Sequence, residues 1–162
     1  MTKTDRVREV AELVRKSFEE IGRNNTLGGY CGRAATQLWL ECMKRGIEGV
    51  KIVEGAGHAF CMFTEANGYV FIADVTATQF HDSYPPIFIT DFATAKRHLP
   101  KTGYHDFITM WNSAEEAFGA GSNLYGARML WQEDRKVVEK NNSHAGLDED
   151  MLELGIYMPV EN

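Results

Sequence analysis

Near residue 49 the hydrophobic period of this chain changes from helical to strand-like, and a hairpin signal then pairs two of the strands. Residues 5–21 carry Val7, Val10, Val14, Phe18 and Ile21 at helical spacing, with Leu13 widening the stripe. Thr4 is the expected N-cap and Gly22 the expected stop. Residues 23–30, RNNTLGGY, read as a loop. A second helix is expected from near Cys31 to near Arg45, with Leu38, Leu40 and Met43 as apolar positions and Gly46 as breaker. Beyond it, GVKIVEG (49–55), HAFCMFTE (58–65) and YVFIADV (69–75) read as strands. Asn67-Gly68 joins the last two as a hairpin. IFIT (87–90) is a candidate fourth strand, and Asp91 is placed to cap a short helix before Pro100. The remainder reads as mostly helical, with a longer helix from Ser122 or Asn123 to about Lys140 and a last turn or two over 147–154. Helices, a small antiparallel sheet and further helices define an α+β fold, expected as a single domain over 1–162 with its chemical core near 23–90.

Composition narrows the class. With 162 residues, 44% of them hydrophobic and 25% charged, the chain is globular and long enough to bury a core without staples. Its net charge of -6 argues against nucleic acid as a partner, because phosphate binding needs a basic surface. No apolar run reaches the roughly 18–20 residues of a membrane span, and the first residues, MTKTDRVREV, do not read as a signal peptide. Three cysteines, Cys31, Cys42 and Cys61, cannot all pair within one chain, so free thiols in a reducing compartment are expected. A cytoplasmic protein is the simplest expectation, although an exported effector or toxin has the same appearance.

Three residues stand out by placement. Cys31 opens a helix after a Gly-rich turn, where partial positive charge and backbone N–H groups stabilise a thiolate or an oxyanion. His58 opens a strand after Gly55-Ala56-Gly57, and Asp74 sits in an otherwise apolar strand. The bland readings are a small buried hydrophobe, a structural histidine and a turn ligand. Hairpin register separates the two sets. A two-residue loop pairs residues whose numbers sum to 135 and sends His58 and Asp74 to opposite faces. A three-residue loop, Ala66-Asn67-Gly68, with Gly68 left-handed, gives 134 and makes them diagonal neighbours, about 7–8 Å apart. In that case Cys31 is placed as nucleophile, His58 as its base and later as acid for the leaving amine, and Asp74 as the group that orients the imidazole.

In order and context these residues resemble the papain-like and transglutaminase-like cysteine superfamily, and most of all bacterial papain-fold toxin or deamidase-type domains. The strings are YCGRAATQLW on a helix start, GHAFCMF on a strand, and IADVTATQF on the next, spanning Gly29 to Phe80. HAF resembles the HAW of transglutaminase-like proteins, and DVTATQF resembles a DPT-x-x-QF motif. The resemblance implies a Cys-His-Asp site acting on an amide of a protein or peptide substrate, with no metal or organic cofactor. Asn25 stands where papain-like proteases place an oxyanion-hole Gln, Gly32 where a Trp follows the nucleophile, and Val75 where the Pro of DPT stands. These departures favour a deamidase or acyltransferase over a papain-type peptidase. Asn25, Gly29, Tyr30 and Gln79 are the candidate oxyanion or substrate contacts. Gln79 and Thr76 either line the site or serve the turn.

Other signals are weaker. Cys42 is expected in the core, and Cys61, of opposite strand parity to His58, is expected to face away from it. Cys31, Cys42, Cys61 and His58 lack zinc-site spacing. His81, His98, His105 and His144 read as surface histidines, with His81-Asp82 worth following. FGAGSNLYGAR matches no phosphate-loop pattern. A binding or inhibitory protein that keeps the fold without catalysis is the alternative function.

Overall fold

The computed structural model describes residues 1–21, 29–55, 57–81, 83–98 and 109–128. Helix α1 (Lys3–Ile21) and helix α2 (Cys31–Lys44) precede strands β1 (Lys51–Gly55), β2 (His58–Thr64) and β3 (Val70–Asp74). A 3-10 turn (Ala77–Gln79), β4 (Phe88–Asp91), α3 (Phe92–His98), β5 (Thr109–Trp111) and α4 (Ala114–Gly119) complete the described chain. The strands form one antiparallel sheet in the order β4-β3-β2-β1-β5. The α+β class expected from the hydrophobic pattern is the one observed. Among the described residues no helix is long and apolar enough to cross a membrane.

Helix α1 begins two residues earlier than expected, at Lys3. Thr2, not Thr4, caps it: Asp5 N donates to Thr2 Oγ1 (3.0 Å) and Thr2 N donates to Asp5 Oδ2 (3.0 Å). Thr4 instead bonds Glu65, its N–H donating at 2.7 Å. Val7, Val10, Val14 and Phe18 are buried as the spacing predicts, whereas Leu13 is exposed, at the far edge of the stripe. The expected stop at Gly22 lies outside the described residues. Helix α2 is buried on almost every side, because α1, the sheet and residues 114–127 all pack on it. Leu38 and Leu40 are in that core, but Met43 faces solvent.

Strand parity divides the interior in two. Ala59, Cys61, Phe63 and Ala73 face α1 and α2, and the Cys61 thiol donates to Ala35 O of α2. Phe60, Met62 and Ile72 face the other way, where α3 and the aromatic residues of 80–92 cover them. All three cysteines are free and buried.

The described residues beyond β4 add a strand to the helical expectation. Residues 109–111 form a fifth strand that pairs with β1, and Ser113 caps α4 by accepting from Glu116 N (3.0 Å). No long helix starts at Ser122 or Asn123: Leu124 and Tyr125 are left-handed (φ 47 and 53), and helical residues begin only at 127. The continuation to Lys140 and the turns at 147–154 lie outside the described residues.

Candidate active site

The β2–β3 hairpin has the odd register. Cys61 faces Ala73, Met62 faces Ile72 and Thr64 faces Val70, so each pair sums to 134. The loop is Ala66-Asn67-Gly68: Gly68 N donates to Glu65 O (2.8 Å), Glu65 N donates to Tyr69 O (2.9 Å), and Gly68 has φ 88. Such a positive φ strains any residue with a Cβ, which is why glycine closes this turn. Continuing the register sets Asp74 opposite Phe60 and diagonal to His58, on the same face of the sheet.

The diagonal is closed by a hydrogen bond. His58 Nε2 donates to Asp74 Oδ2 at 2.5 Å, with both residues buried. Asp74 Oδ1 accepts from Thr76 N (2.8 Å) and Thr76 Oγ1 (3.1 Å). A buried carboxylate without partners is costly, and here both oxygens are satisfied. Phe80 stands edge-on to the imidazole, with ring centroids 4.7 Å apart, and Phe60 stacks at 5.7 Å. These rings exclude water from the pair.

Cys31 comes from the other layer. It is the first residue of α2, and its helix passes under the sheet to bring the thiol to the end of β2, within hydrogen-bonding reach of His58. With Nε2 committed to Asp74, Nδ1 is the ring nitrogen left for the thiol. Burial opposes charge on the imidazole, but the Asp74 charge and hydrogen bond outweigh it. Cys31 adds in the same direction, and together they raise His58 to about 9. The other two thiols are inert by the same physics. Burial pushes Cys42 up to about 12, and burial raises Cys61 well above its ordinary value.

The remaining candidates divide. Gln79 Nε2 lies 2.9 Å from His58 Nδ1 and 3.4 Å from Thr76 Oγ1, so it joins the imidazole and serves its own turn. In that orientation it donates to a neutral imidazole. Turned over, its Oε1 would accept from a protonated one. Gly29 is left-handed (φ 86) just before α2. Tyr30 precedes the helix without a side-chain cap, its carbonyl accepts from Ala34 N (2.9 Å), and its ring packs edge-on to Phe18 with the Arg33 guanidinium above it. The Tyr30 ring is thus a packing element. Asn25 and Asp82 lie outside the described residues, as do the side chains of His98, His105 and His144. His81 is exposed and accepts from Ser83 N (3.0 Å).

Two contributors escape a reading of the sequence. Tyr125 Oη donates to Gly55 O (2.6 Å) and accepts from Gly57 N (3.1 Å), tying residues 122–126 to the turn before His58. Burial raises its hydroxyl above the usual tyrosine range, and Glu54 and Cys31 add to this. Glu54 Oε2 anchors the same segment through Ser122 Oγ (2.8 Å) and Trp111 Nε1 (2.6 Å). The run SNLYG carries no chemical signature, so nothing in the sequence marks it. Arg15 is the other. It lies buried on α1, and its one signal is a charge bordering the apolar stripe, next to Ala11 and Phe18.

The segment 122–126 also explains Gly32. A Cβ at that position would sit 1.7 Å from Leu124 O, a backbone atom that cannot swing away. Gly32→Ala is therefore expected to cost about 2 kcal/mol or more by overpacking, seen as a fall of about 5 °C in Tm on thermal unfolding. An unchanged Tm would mean that 122–126 does not rest on α2.

Comparison with family models, curated proteins and solved structures finds no match for this chain.

Proposed function

We propose that this protein is a cysteine-dependent enzyme of the papain-like or transglutaminase-like kind, acting on an amide of a protein or peptide by acyl transfer. The single observation that carries the reading is the convergence of Cys31 at a helix N-terminus on a His58 already oriented by Asp74. The composition and element order alone would fit many proteins; this convergence narrows them.

The chemistry comes from the roles. Paired with the His58 imidazolium, the Cys31 thiolate attacks the amide carbonyl, forming an Sγ–C bond and placing the carbonyl electrons on oxygen. Backbone N–H groups at the start of α2 have no acceptor within the helix and suit that oxyanion. As the C–N bond breaks, His58 Nδ1 gives its proton to the leaving nitrogen, leaving a thioester. Water then attacks the thioester, His58 takes its proton, and the C–S bond breaks to restore the thiol. Ammonia as leaving group makes a deamidase, and an amine in place of water makes a transglutaminase. The departure at Gly32, where a papain-type nucleophile is followed by Trp, favours a deamidase or acyltransferase over a papain-type peptidase.

The test is ammonia release from glutamine- and asparagine-containing peptides and proteins, with Cys31→Ser beside the wild type. Release that Cys31→Ser abolishes is the expected result. Equal release by both proteins would remove Cys31 from the mechanism. A specific observation favours a second reading, a binding protein that retains the fold: Cys31 is 5% exposed and His58 0%. That reading expects no turnover and slow alkylation of Cys31 at every pH.

A further inference from the structure

Arg15 is 3% exposed on α1, in a face otherwise made of Val7, Ala11, Val14 and Phe18. A methionine would fill such a position without stripping water from a cation, and buried ion pairs seldom stabilise more than an apolar replacement does. The guanidinium therefore calls for another explanation, and its partners supply one. Nη1 donates to Val75 O (2.8 Å) and to Thr78 Oγ1 (3.0 Å), while Nε donates to Glu19 Oε2 (2.9 Å).

Val75 and Thr78 are the two ends of the turn that comes after Asp74. Between them, Thr76 bonds Asp74 Oδ1, and immediately after them Gln79 reaches His58 Nδ1. Asp74 and Gln79, two of the partners of the imidazole, thus emerge from a six-residue segment that one planar, permanently charged fork holds across its middle. Lysine offers a single point charge and cannot span the same acceptors along with Glu19.

We propose that Arg15 is a positioning residue for the His58–Asp74 pair, acting through the 75–79 turn from outside the Cys31–Phe80 region. The proposal rests on the catalytic reading above and adds to it a residue that acts on the pair through its hydrogen bonds to Val75 and Thr78. Loss of the fork lets the turn relax, which lengthens the Thr76–Asp74 and Gln79–His58 contacts and admits water to the imidazole.

The experiment is an NMR pH titration of the His58 side chain, assigned by loss of its signal in His58→Gln. Among the described residues, those facing His58 include Asp74 from β3, Cys31 from α2, Gln79 from the 3-10 turn and the Tyr125 hydroxyl, which bonds its backbone. Wild type, Arg15→Met, Arg15→Lys and Thr78→Val are compared, each with a thermal melt. In the wild type the midpoint is expected near 9. In Arg15→Met it is expected to fall by about one pH unit, toward the ordinary value. Thr78→Val, which removes one acceptor of the fork, should move it the same way by less, and Arg15→Lys should restore part of the shift. A folded Arg15→Met protein with a wild-type midpoint would overturn the proposal and leave Arg15 a core residue that happens to be charged. If Arg15→Met does not fold, Thr78→Val decides, and an unmoved midpoint there overturns it equally. Slow Cys31 alkylation in the wild type would sink the catalytic reading alone, since the titration reads the imidazole whether or not the thiol reacts.

Discussion

Replacing His58 with Ala lowers the rate of Cys31 alkylation by iodoacetamide near pH 6 by about 100-fold, the lower end of what a positioned acid–base partner contributes. The reagent reacts with thiolate, and below neutral pH a thiolate persists only beside a compensating cation. In the proposed mechanism that cation is the His58 imidazolium, whose pKa Asp74 helps raise to about 9. The direction of the change is diagnostic. Removing an imidazole beside a thiol that is 5% exposed opens space, so accessibility alone predicts faster labelling, whereas loss of the ion pair gives slower labelling. Cys42 and Cys61 serve as internal standards. Burial keeps both protonated, and neither should change rate in the variant.

Asp74→Asn should be nearly as damaging, and in a pH-dependent way. The folded His58 titrates near 9 rather than 6.5, so its protonation stabilises the fold fully below about pH 6.5, and that stabilisation is lost as pH rises through about 9. The gap corresponds to about 3 kcal/mol. Urea unfolding at pH 6 should show most of that difference between wild type and Asp74→Asn, and the two proteins should converge above pH 9. A constant difference at both pH values would mean that the carboxylate matters for packing and not for charge. The substitution should also slow Cys31 alkylation. If the side-chain carbonyl of the introduced asparagine stays with Thr76 N–H, its amide N–H faces His58 Nε2. That nitrogen must then accept, which moves the ring proton to Nδ1, where it can no longer take a proton from the thiol.

Much of this arrangement is legible in the sequence because it depends on local rules. The parity of β2 and β3 is set by a turn of three residues ending in a left-handed glycine, which Ala66-Asn67-Gly68 admits beside the two-residue Asn67-Gly68 loop of opposite parity. Once the odd register is admitted, His58 and Asp74 must share a face. Cys31 at the start of α2 is marked by the Gly-rich turn before it and the helical pattern after it. The illegible parts depend on distant partners. β5 is three residues long, too short for a period, and exists because β1 offers it an edge. The left-handed Leu124 and Tyr125 are held by Ser122, by Glu54 and by the tip of the β1–β2 hairpin, none of which marks the sequence there. Arg15 visibly violates its stripe, but its acceptors lie 60 and 63 residues further along the chain. Thr4 looks like a cap because it precedes the stripe; Thr2 wins because Asp5 answers it across one turn, leaving Thr4 to bond Glu65.

The central claim is that Cys31 and His58 form a reactive ion pair, and the pH profile of Cys31 alkylation in the folded wild-type protein tests it most directly, read by peptide mass spectrometry. The account expects Cys31 to label far faster than Cys42 and Cys61 near and below neutral pH, since burial holds the other two thiols protonated. A Cys31 that labels no faster than its two neighbours below pH 9 would contradict it.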